Sequence, residues 1–136
     1  MNSRKILKCL VFLFALVLIS CEKPAGQGGT SSIKGKIFVK DFNSAATDVV
    51  AEYFAVGEKV YISFGDSKTV GNDVNSGSDG SFEFLYLNKG KYTIFAESRD
   101  TSIHVSGASK TIAKEIEVNI TENGSVKDVG EIVIYK

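Results

Sequence analysis

The chain has 136 residues, with 16 Lys and Arg against 16 Asp and Glu, one His, two Cys and no Trp. That length accommodates one domain and excludes a second one of ordinary size. The balanced charge provides no field that would attract nucleic acid, so we predict no nucleic-acid partner.

Residues 1–20 have the organisation of a secretory signal peptide. Arg4, Lys5 and Lys8 form a basic start, and an unbroken run of eleven apolar residues follows from Cys9 to Ile19. Such a run rises only about 16 Å as a helix, well short of the roughly 30 Å hydrocarbon core of a bilayer. A basic start followed by a short apolar run is typical of exported proteins.

The residues that close this segment, Leu18-Ile19-Ser20-Cys21, resemble a bacterial lipobox. The resemblance implies cleavage between Ser20 and Cys21, diacylglycerol on the Cys21 thiol, and a fatty acid such as palmitate on the new amino terminus. Each buried CH₂ contributes about 0.8 kcal/mol, so several acyl chains together give stable anchoring. We therefore predict a lipid-anchored protein of the cell envelope, at the outer membrane. The alternative is an apolar anchor in which the Cys is a coincidence.

Cleavage would leave a mature domain without a free thiol. It would carry 13 Lys and Arg against 16 Asp and Glu, a formal charge of −3. We therefore expect no disulfide, no thiol nucleophile and no electrostatic attraction to anionic headgroups. Glu22 and Lys23 follow the lipidated position without the acidic run that resembles a surface-export signal. This favours the periplasmic face and leaves the surface face open.

Residues 21–32 are rich in Gly, Ser and Thr and have no apolar periodicity, which predicts a flexible tether. The folded domain is expected at residues 33–136, where apolar residues alternate with polar ones. The predicted strands begin with Ile33–Lys40 and continue with alternating runs around Ile62, Phe84, Ile94, Val118 and Ile132.

Two segments interrupt this pattern. Thr47–Val56 places Val49, Val50, Tyr53 and Phe54 on one helical face, so we predict irregular structure with one helical turn. Gly65–Gly80 is predicted as a long polar loop. The fold class is all-β: an antiparallel sandwich of seven strands, within a range of six to eight, transthyretin-like or immunoglobulin-like.

The core of this sandwich is predicted from the inward-facing rows. It comprises Ile37, Val39, Val60, Ile62, Phe64, Phe82, Phe84, Leu87, Tyr92, Ile94, Val118, Ile120 and Ile132.

The stretch from Asp79 to Ile94 has the pattern D-G-x-F-x-F-x-x-L-x-x-G-x-Y-x-I. Asp-Gly is a hairpin dipeptide, and the second Gly is suited to a tight return between strands. This motif resembles the carboxypeptidase regulatory-like family, a transthyretin-like β-sandwich common in secreted Bacteroidetes proteins. The resemblance spans Ile33–Glu97 and implies a non-catalytic accessory or binding domain. Residues 42–57 and 65–77 are longer than the family's usual links, so we expect recognition there.

Catalysis is disfavoured by the small set of reactive side chains. After cleavage the chain retains one His, His104, and one Arg, Arg99. A Ser-His-Asp site needs a positioned base, and hydrolytic zinc sites usually use three protein ligands with His prominent. We therefore predict no enzyme and no cofactor, and keep an envelope hydrolase that uses His104 as a remote alternative.

Calcium is the stronger ligand hypothesis, and it defines a second alternative, a calcium-stabilised adhesive module. Asp66, Asp73, Asn75 and Asp79 supply the oxygen donors that Ca²⁺ prefers, all within Gly65–Gly80. The run from Asn75 to Gly80 resembles the start of an EF-hand loop, but Tyr86 stands where a bidentate Glu is needed. Because the same residues are common in exposed turns, we predict no metal there.

A protein or glycan partner in the envelope is the remaining expectation. Tyr61, Tyr86, Phe95 and Tyr135 are out of phase with the inward rows, so some of them would form an outer aromatic stripe. Such a stripe can bind a ligand, or it can stabilise the sheet through cross-strand pairs. The sequence favours the structural interpretation.

Overall fold

The computed structural model describes residues 23–102 and 110–136. Its eight strands are β1 (Gln27–Phe42), β2 (Val49–Phe54), β3 (Lys59–Phe64), β4 (Val70–Asn75), β5 (Ser81–Leu87), β6 (Gly90–Arg99), β7 (Thr111–Ile120) and β8 (Val126–Tyr135). Within those two ranges, no helix has the length and apolar character needed to cross a bilayer.

The strands form a β-sandwich of two four-stranded sheets, which confirms the predicted fold class. In the first sheet, β2 and β5 both pair with β1, and β8 also pairs with it; the second has the order β4-β3-β6-β7. All these pairs are antiparallel except β1 with β8, which run parallel from Ser32↔Val126 to Lys40↔Tyr135. The alternating pattern predicted strands and could not predict this one parallel neighbour.

The predicted core lies between the sheets. Of its thirteen residues, Phe64 and Val118 are half-buried and pack against the cluster, and the others are buried. Ile33 and Ile134, both fully buried, extend the inward rows at the two ends of the first sheet. Gly35 also lies in the inward row of β1. A Cβ there would lie 2.8 Å from the Phe82 ring, so the position favours Gly.

The predicted tether at residues 21–32 is wrong over its second half. β1 begins at Gln27, so the first strand starts six residues before Ile33. Ser31 is buried, and its hydroxyl donates to the Glu122 carbonyl at 3.1 Å. Gly and Ser composition suggested a linker, but main-chain pairing with Leu87 of β5 makes this segment part of the domain.

The irregular segment and the long polar loop are also corrected. Residues 49–54 form β2, which pairs with β1 from Phe38↔Phe54 to Phe42↔Val49 and contains no helical turn. Residues 70–75 form β4, paired with β3 from Lys59↔Asn75 to Ser63↔Val70. Both are edge strands without a buried row, so neither shows the alternation on which the prediction relied.

The two ends of the sandwich differ in the segments they contain. We call the lower end the region of residues 24–31 with the turns 65–69, 88–89 and 121–125. The upper end contains residues 43–48 and the last residues of β6 and β8. Arg99 joins elements there, because its Nη1 and Nη2 donate to the carbonyls of Asn43 and Ser44 at 3.0 and 2.7 Å.

Candidate functional site

Five of the nine large apolar residues that are exposed within residues 23–102 and 110–136 lie on strand β2 or in its connection to β3. All six residues of β2 are exposed. We call this surface the β2 edge; its large apolar members are Val49, Val50, Tyr53, Phe54 and Val56, the last being 70% exposed. A cluster of this kind is typical of interaction surfaces, whereas single exposed apolar residues are ordinary.

One side of β2 is open for hydrogen bonding. Within residues 23–102 and 110–136, β2 pairs with β1 alone. The Ala55 N–H donates to the Ile37 carbonyl at 3.0 Å, and ladder pairs alternate along an antiparallel strand. Glu52 and Phe54 therefore direct their main-chain N–H and C=O groups away from β1, as an edge that another strand can extend.

The face of β2 that carries Glu52 and Phe54 combines aromatic rings with charged side chains. The Phe54 ring packs edge-on against Phe38 at a centroid distance of 5.3 Å, and the Lys36 ammonium lies 4.9 Å from the Phe54 centroid. Glu52 forms an ion pair with Lys40 at 3.1 Å. Apolar rings flanked by a paired charge suit an extended peptide with apolar side chains.

Two hydrogen-bond networks hold β2 in place. Before it, the Asn43 amide donates to Thr47 Oγ1 at 2.9 Å and to Asp48 Oδ2 at 3.1 Å. After it, the buried Ser76 hydroxyl donates to the Ala55 carbonyl at 2.7 Å and accepts from the Glu58 N–H at 2.9 Å. The edge is therefore preorganised although its own side chains are exposed.

The outer face of the second sheet carries part of the predicted aromatic stripe. Tyr61 and Phe95 stack across β3 and β6 with centroids 5.1 Å apart and planes 19° apart. A cleft of about 530 Å³ beside Phe95 is lined by the carboxylates of Asp66, Glu115 and Glu117 and by the ammonium-bearing Lys68. Flat aromatic surface beside carboxylates and hydroxyls can hold a sugar ring.

The other two aromatic candidates lie elsewhere. Tyr135 packs edge-on against Phe42 on the outer face of the first sheet, with the Lys114 ammonium 4.8 Å from its centroid. Tyr86 lies near the end of β5, next to the lower end; it is 70% exposed and has a φ of +60°. The predicted stripe is therefore three separate features.

The four metal candidates are not brought together by the structure. Asp66 lies in the β3–β4 turn and Asn75 ends β4, so the length of β4 separates them. The Asp73 carboxylate pairs with Lys59 at 2.7 Å and raises the pKa of that ammonium. Within the described ranges, no three His, Cys, Asp or Glu residues form a metal-binding group.

Asp79, the fourth candidate, is occupied by its own turn. Its carboxylate accepts from the Ser81 hydroxyl at 2.6 Å and the Ser81 N–H at 3.1 Å, and it pairs with Lys36 at 3.2 Å. These contacts, led by the Ser81 hydroxyl, lower the pKa of Asp79 to about 2. The side chain acts as a turn former here.

The remaining predicted residues are Ser20, Cys21 and His104, which lie outside the described residues. Sequence reasoning missed the β2 edge because the spacing of Val49, Val50, Tyr53 and Phe54 fits one helical face. The signal that could have identified a strand is composition, since β-branched Val and aromatic residues are enriched in strands.

No family model matches the chain, and no curated protein matches it. Among solved structures, a crystal structure of a "putative carbohydrate binding protein" from Pseudomonas aeruginosa is similar, with a TM-score of 0.47 and 15% identity, covering 82% of this chain and 92% of that one.

Proposed function

We propose that this chain is a bacterial lipoprotein, held at the outer membrane by lipid on Cys21, and that its β-sandwich is a non-catalytic binding module. The basic start, the short apolar run and Leu18-Ile19-Ser20-Cys21 support the anchor. The paucity of His, Arg and Cys supports a module without catalysis.

The kinship proposed with carboxypeptidase regulatory-like domains rests on the Asp79–Ile94 motif. Its fixed positions have structural roles, since Gly80 and Gly90 adopt φ of +77° and +137°, and Phe82 and Phe84 are buried. The long links of this chain, compared with that family, contain β2 and β4. The features peculiar to this protein are thus edge strands.

The binding proposal rests on the structure of the β2 edge. It combines open main-chain groups with exposed apolar side chains, and two hydrogen-bond networks hold it in place. We propose that an extended apolar segment of another envelope protein adds to β2 as a further strand, since strand addition uses these features together.

Crosslinking with a backbone block tests this proposal. A photo-crosslinking residue at Val50 should capture one discrete envelope protein, whereas the same residue at Val70, an exposed Val of the other edge strand, should not. Glu52→Pro removes an N–H from the open side while leaving the ladder to β1 intact, so it should abolish capture. Glu52→Ala removes only the side chain and should retain capture.

Two outcomes would contradict the proposal. Capture that survives Glu52→Pro would show that the open main chain is not used. Equal capture from Val50 and Val70 would show that β2 has no special role. Circular dichroism of each variant confirms that the sandwich is intact.

A second candidate is favoured by the Tyr61–Phe95 stack and its carboxylate-lined cleft. A glycan of the envelope would bind there through the ring faces and the carboxylates. Tyr61→Ala should then weaken glycan binding in calorimetry at least tenfold, while Glu52→Pro leaves it unchanged. If Glu52→Pro weakened glycan binding and Tyr61→Ala did not, the outer face of the second sheet would be eliminated as the glycan-binding site.

A further inference from the structure

The amino-terminal segment is bound to the lower end of the sandwich from Pro24 onward. The Asn88 amide donates to the carbonyls of Pro24 at 3.4 Å and Gln27 at 3.1 Å. The Gly26 N–H donates to the buried Tyr92 hydroxyl at 3.0 Å, and the Asn88 N–H donates to the Gly26 carbonyl at 2.9 Å. These contacts fix where the chain enters the domain.

Close main-chain packing reinforces this attachment. A Cβ at Gly29 would lie 2.0 Å from the Leu87 carbonyl oxygen, so the segment crosses the end of β5 at a distance only Gly allows. The Tyr92 hydroxyl donates in turn to the Asn88 carbonyl at 2.7 Å. The segment, the β5–β6 turn and the core are therefore one unit.

The lipidated position lies very near this unit along the chain. Three residue steps separate Cys21 from Pro24, and a fully extended chain spans at most about 11 Å over that length. A lipid on Cys21 would consequently hold the lower end within about a nanometre of the headgroups. The twelve-residue tether expected from composition would have allowed any orientation.

Exposed apolar side chains surround the same end. Leu85 is 49% exposed, Tyr86 is 70% exposed and Val126 is 60% exposed. Tyr86 breaks the alternation of β5 because its φ of +60° turns two successive side chains, Leu85 and Tyr86, outward. Positive φ in a bulky residue is strained, and a Tyr ring suits the boundary between headgroups and acyl chains.

These observations place the apolar residues on both sides of β1. Val126 is the register partner of Ser32 on β8, and Leu85 follows Phe84, the partner of Ile33, on β5. Neighbouring strands lie about 4.8 Å apart, so the two groups flank the lower end roughly 10 Å from each other. Thr121 and Asn123, in the turn between β7 and β8, are exposed polar residues of the same end, and Lys23 lines one cleft with Asn123.

We infer that the lower end, with Leu85, Tyr86 and Val126, rests on the bilayer and directs the upper end away from it. This inference rests on the lipid anchor proposed above. From Ser31 to Phe42, β1 spans about 36 Å at 3.3 Å per residue. The β2 edge pairs with the last residues of β1, so a fixed orientation would present it roughly 25–35 Å above the lower end.

Fluorescence quenching in vesicles tests the orientation. The full lipoprotein is reconstituted in phosphatidylethanolamine–phosphatidylglycerol vesicles that contain a lipid with a nitroxide headgroup. Because Cys9 leaves with the signal and lipid occupies Cys21, a Cys introduced at Asn123 or at Ser44 is the single thiol to label. We expect at least threefold stronger quenching at Asn123, in the lower end, than at Ser44, in the upper end.

Two variants separate fixed contact from simple tethering. Twelve Gly and Ser residues inserted between Lys23 and Pro24 should reduce quenching at Asn123 to the level at Ser44. Tyr86→Ser should reduce it partly, while Val56→Ser, at an equally exposed apolar residue of the distant β2 edge, should not change it. An unchanged signal in Tyr86→Ser would eliminate Tyr86 as a membrane contact.

Vesicle flotation distinguishes failure of the orientation from failure of the anchor. If the protein floats with the vesicles and Asn123 and Ser44 are quenched equally, the fixed orientation is wrong and the anchor stands. If the protein does not float, and its mass shows no lipid, the proposed anchor itself is wrong.

Discussion

Strands β2 and β5 share one side of β1 and differ in what they bury. β5 pairs with β1 up to Lys36↔Ser81, and β2 pairs with it from Phe38↔Phe54 onward. Phe82, Phe84 and Leu87 of β5 are buried, whereas every residue of β2 is exposed. Identical pairing on one strand thus produces a core element in one half and an accessible edge in the other.

The exchange between the two partners occurs at one residue. The Ile37 N–H donates to the Gly80 carbonyl at 2.9 Å, and the Ile37 carbonyl accepts from the Ala55 N–H at 3.0 Å. Before Ile37, the pairing of β1 with β5 is stabilised mainly by the burial of apolar side chains. After Ile37, the pairing of β1 with β2 is stabilised by main-chain hydrogen bonds and by the networks around Asn43 and Ser76. The side chains of β2 are therefore available for a partner.

A matched pair of Phe substitutions should give the largest difference between the two strands. Phe84→Ala removes a ring that is 2% exposed and should lower the free energy of unfolding by about 3–5 kcal/mol. Phe54→Ala removes a ring that is 38% exposed and should cost about 1 kcal/mol, chiefly the contact with Phe38. Urea denaturation of the unlipidated chain from Lys23 measures both. Equal losses would contradict the division between core and edge.

A smaller effect is expected where the β2 edge is held by a hydrogen-bond network. Ser76→Ala removes the bond to the Ala55 carbonyl and leaves that acceptor and the Glu58 N–H without this partner. We expect a loss of about 1–3 kcal/mol in the free energy of unfolding. Hydrogen exchange should speed up in β2 and β3 more than in β5. Ser78→Ala, an exposed Ser in the same turn region, is the control and should change neither quantity.

The same comparison explains how much of the fold the sequence predicted. Strands with a buried row, such as β5 and β6, were predicted because Phe82, Phe84, Tyr92 and Ile94 repeat at the period of two that burial imposes. β2 and β4 were missed because edge strands held by main-chain bonds need no such period. The first residues of β1 were missed for the same reason, since Gly29 and Ser31 contribute through backbone packing and a hydroxyl bond.

The proposed β2 edge lies within residues 42–57, and its conformation was not predicted. Residues 42–57 were expected to carry recognition because they exceed the usual link of the family that the sequence resembles. Their conformation depends on long-range partners: Phe38 and Lys40 on β1, and Ser76 far along the chain. Local spacing of Val50 and Phe54 contains none of these contacts, so it could not exclude a helical turn.

The smallest expected effect lies at the junction where β5 begins, and it depends on pH. The contacts of Asp79 with Ser81 and Lys36 lower its pKa from the ordinary 3.8 to about 2. A carboxyl whose pKa is lower in the folded state stabilises that state fully above pH 4, and this contribution is lost as the pH falls through about 2. Asp79→Asn should therefore shift the urea midpoint below wild type at pH 5, with the difference shrinking towards pH 2.

Because Asp79 is fully exposed, solvent screening keeps the shift of the urea midpoint small. Ser81→Ala is the second variant to measure. The Ser81 hydroxyl is the main cause of the lowered pKa, so its removal should weaken the pH dependence while the N–H bond and Lys36 preserve part of it. A pH-independent difference between wild type and Asp79→Asn would mean that the carboxylate does not stabilise the start of β5. Because the Gly80 carbonyl that follows receives the Ile37 N–H, the division of β1 between its two partners would then rest on the main chain alone.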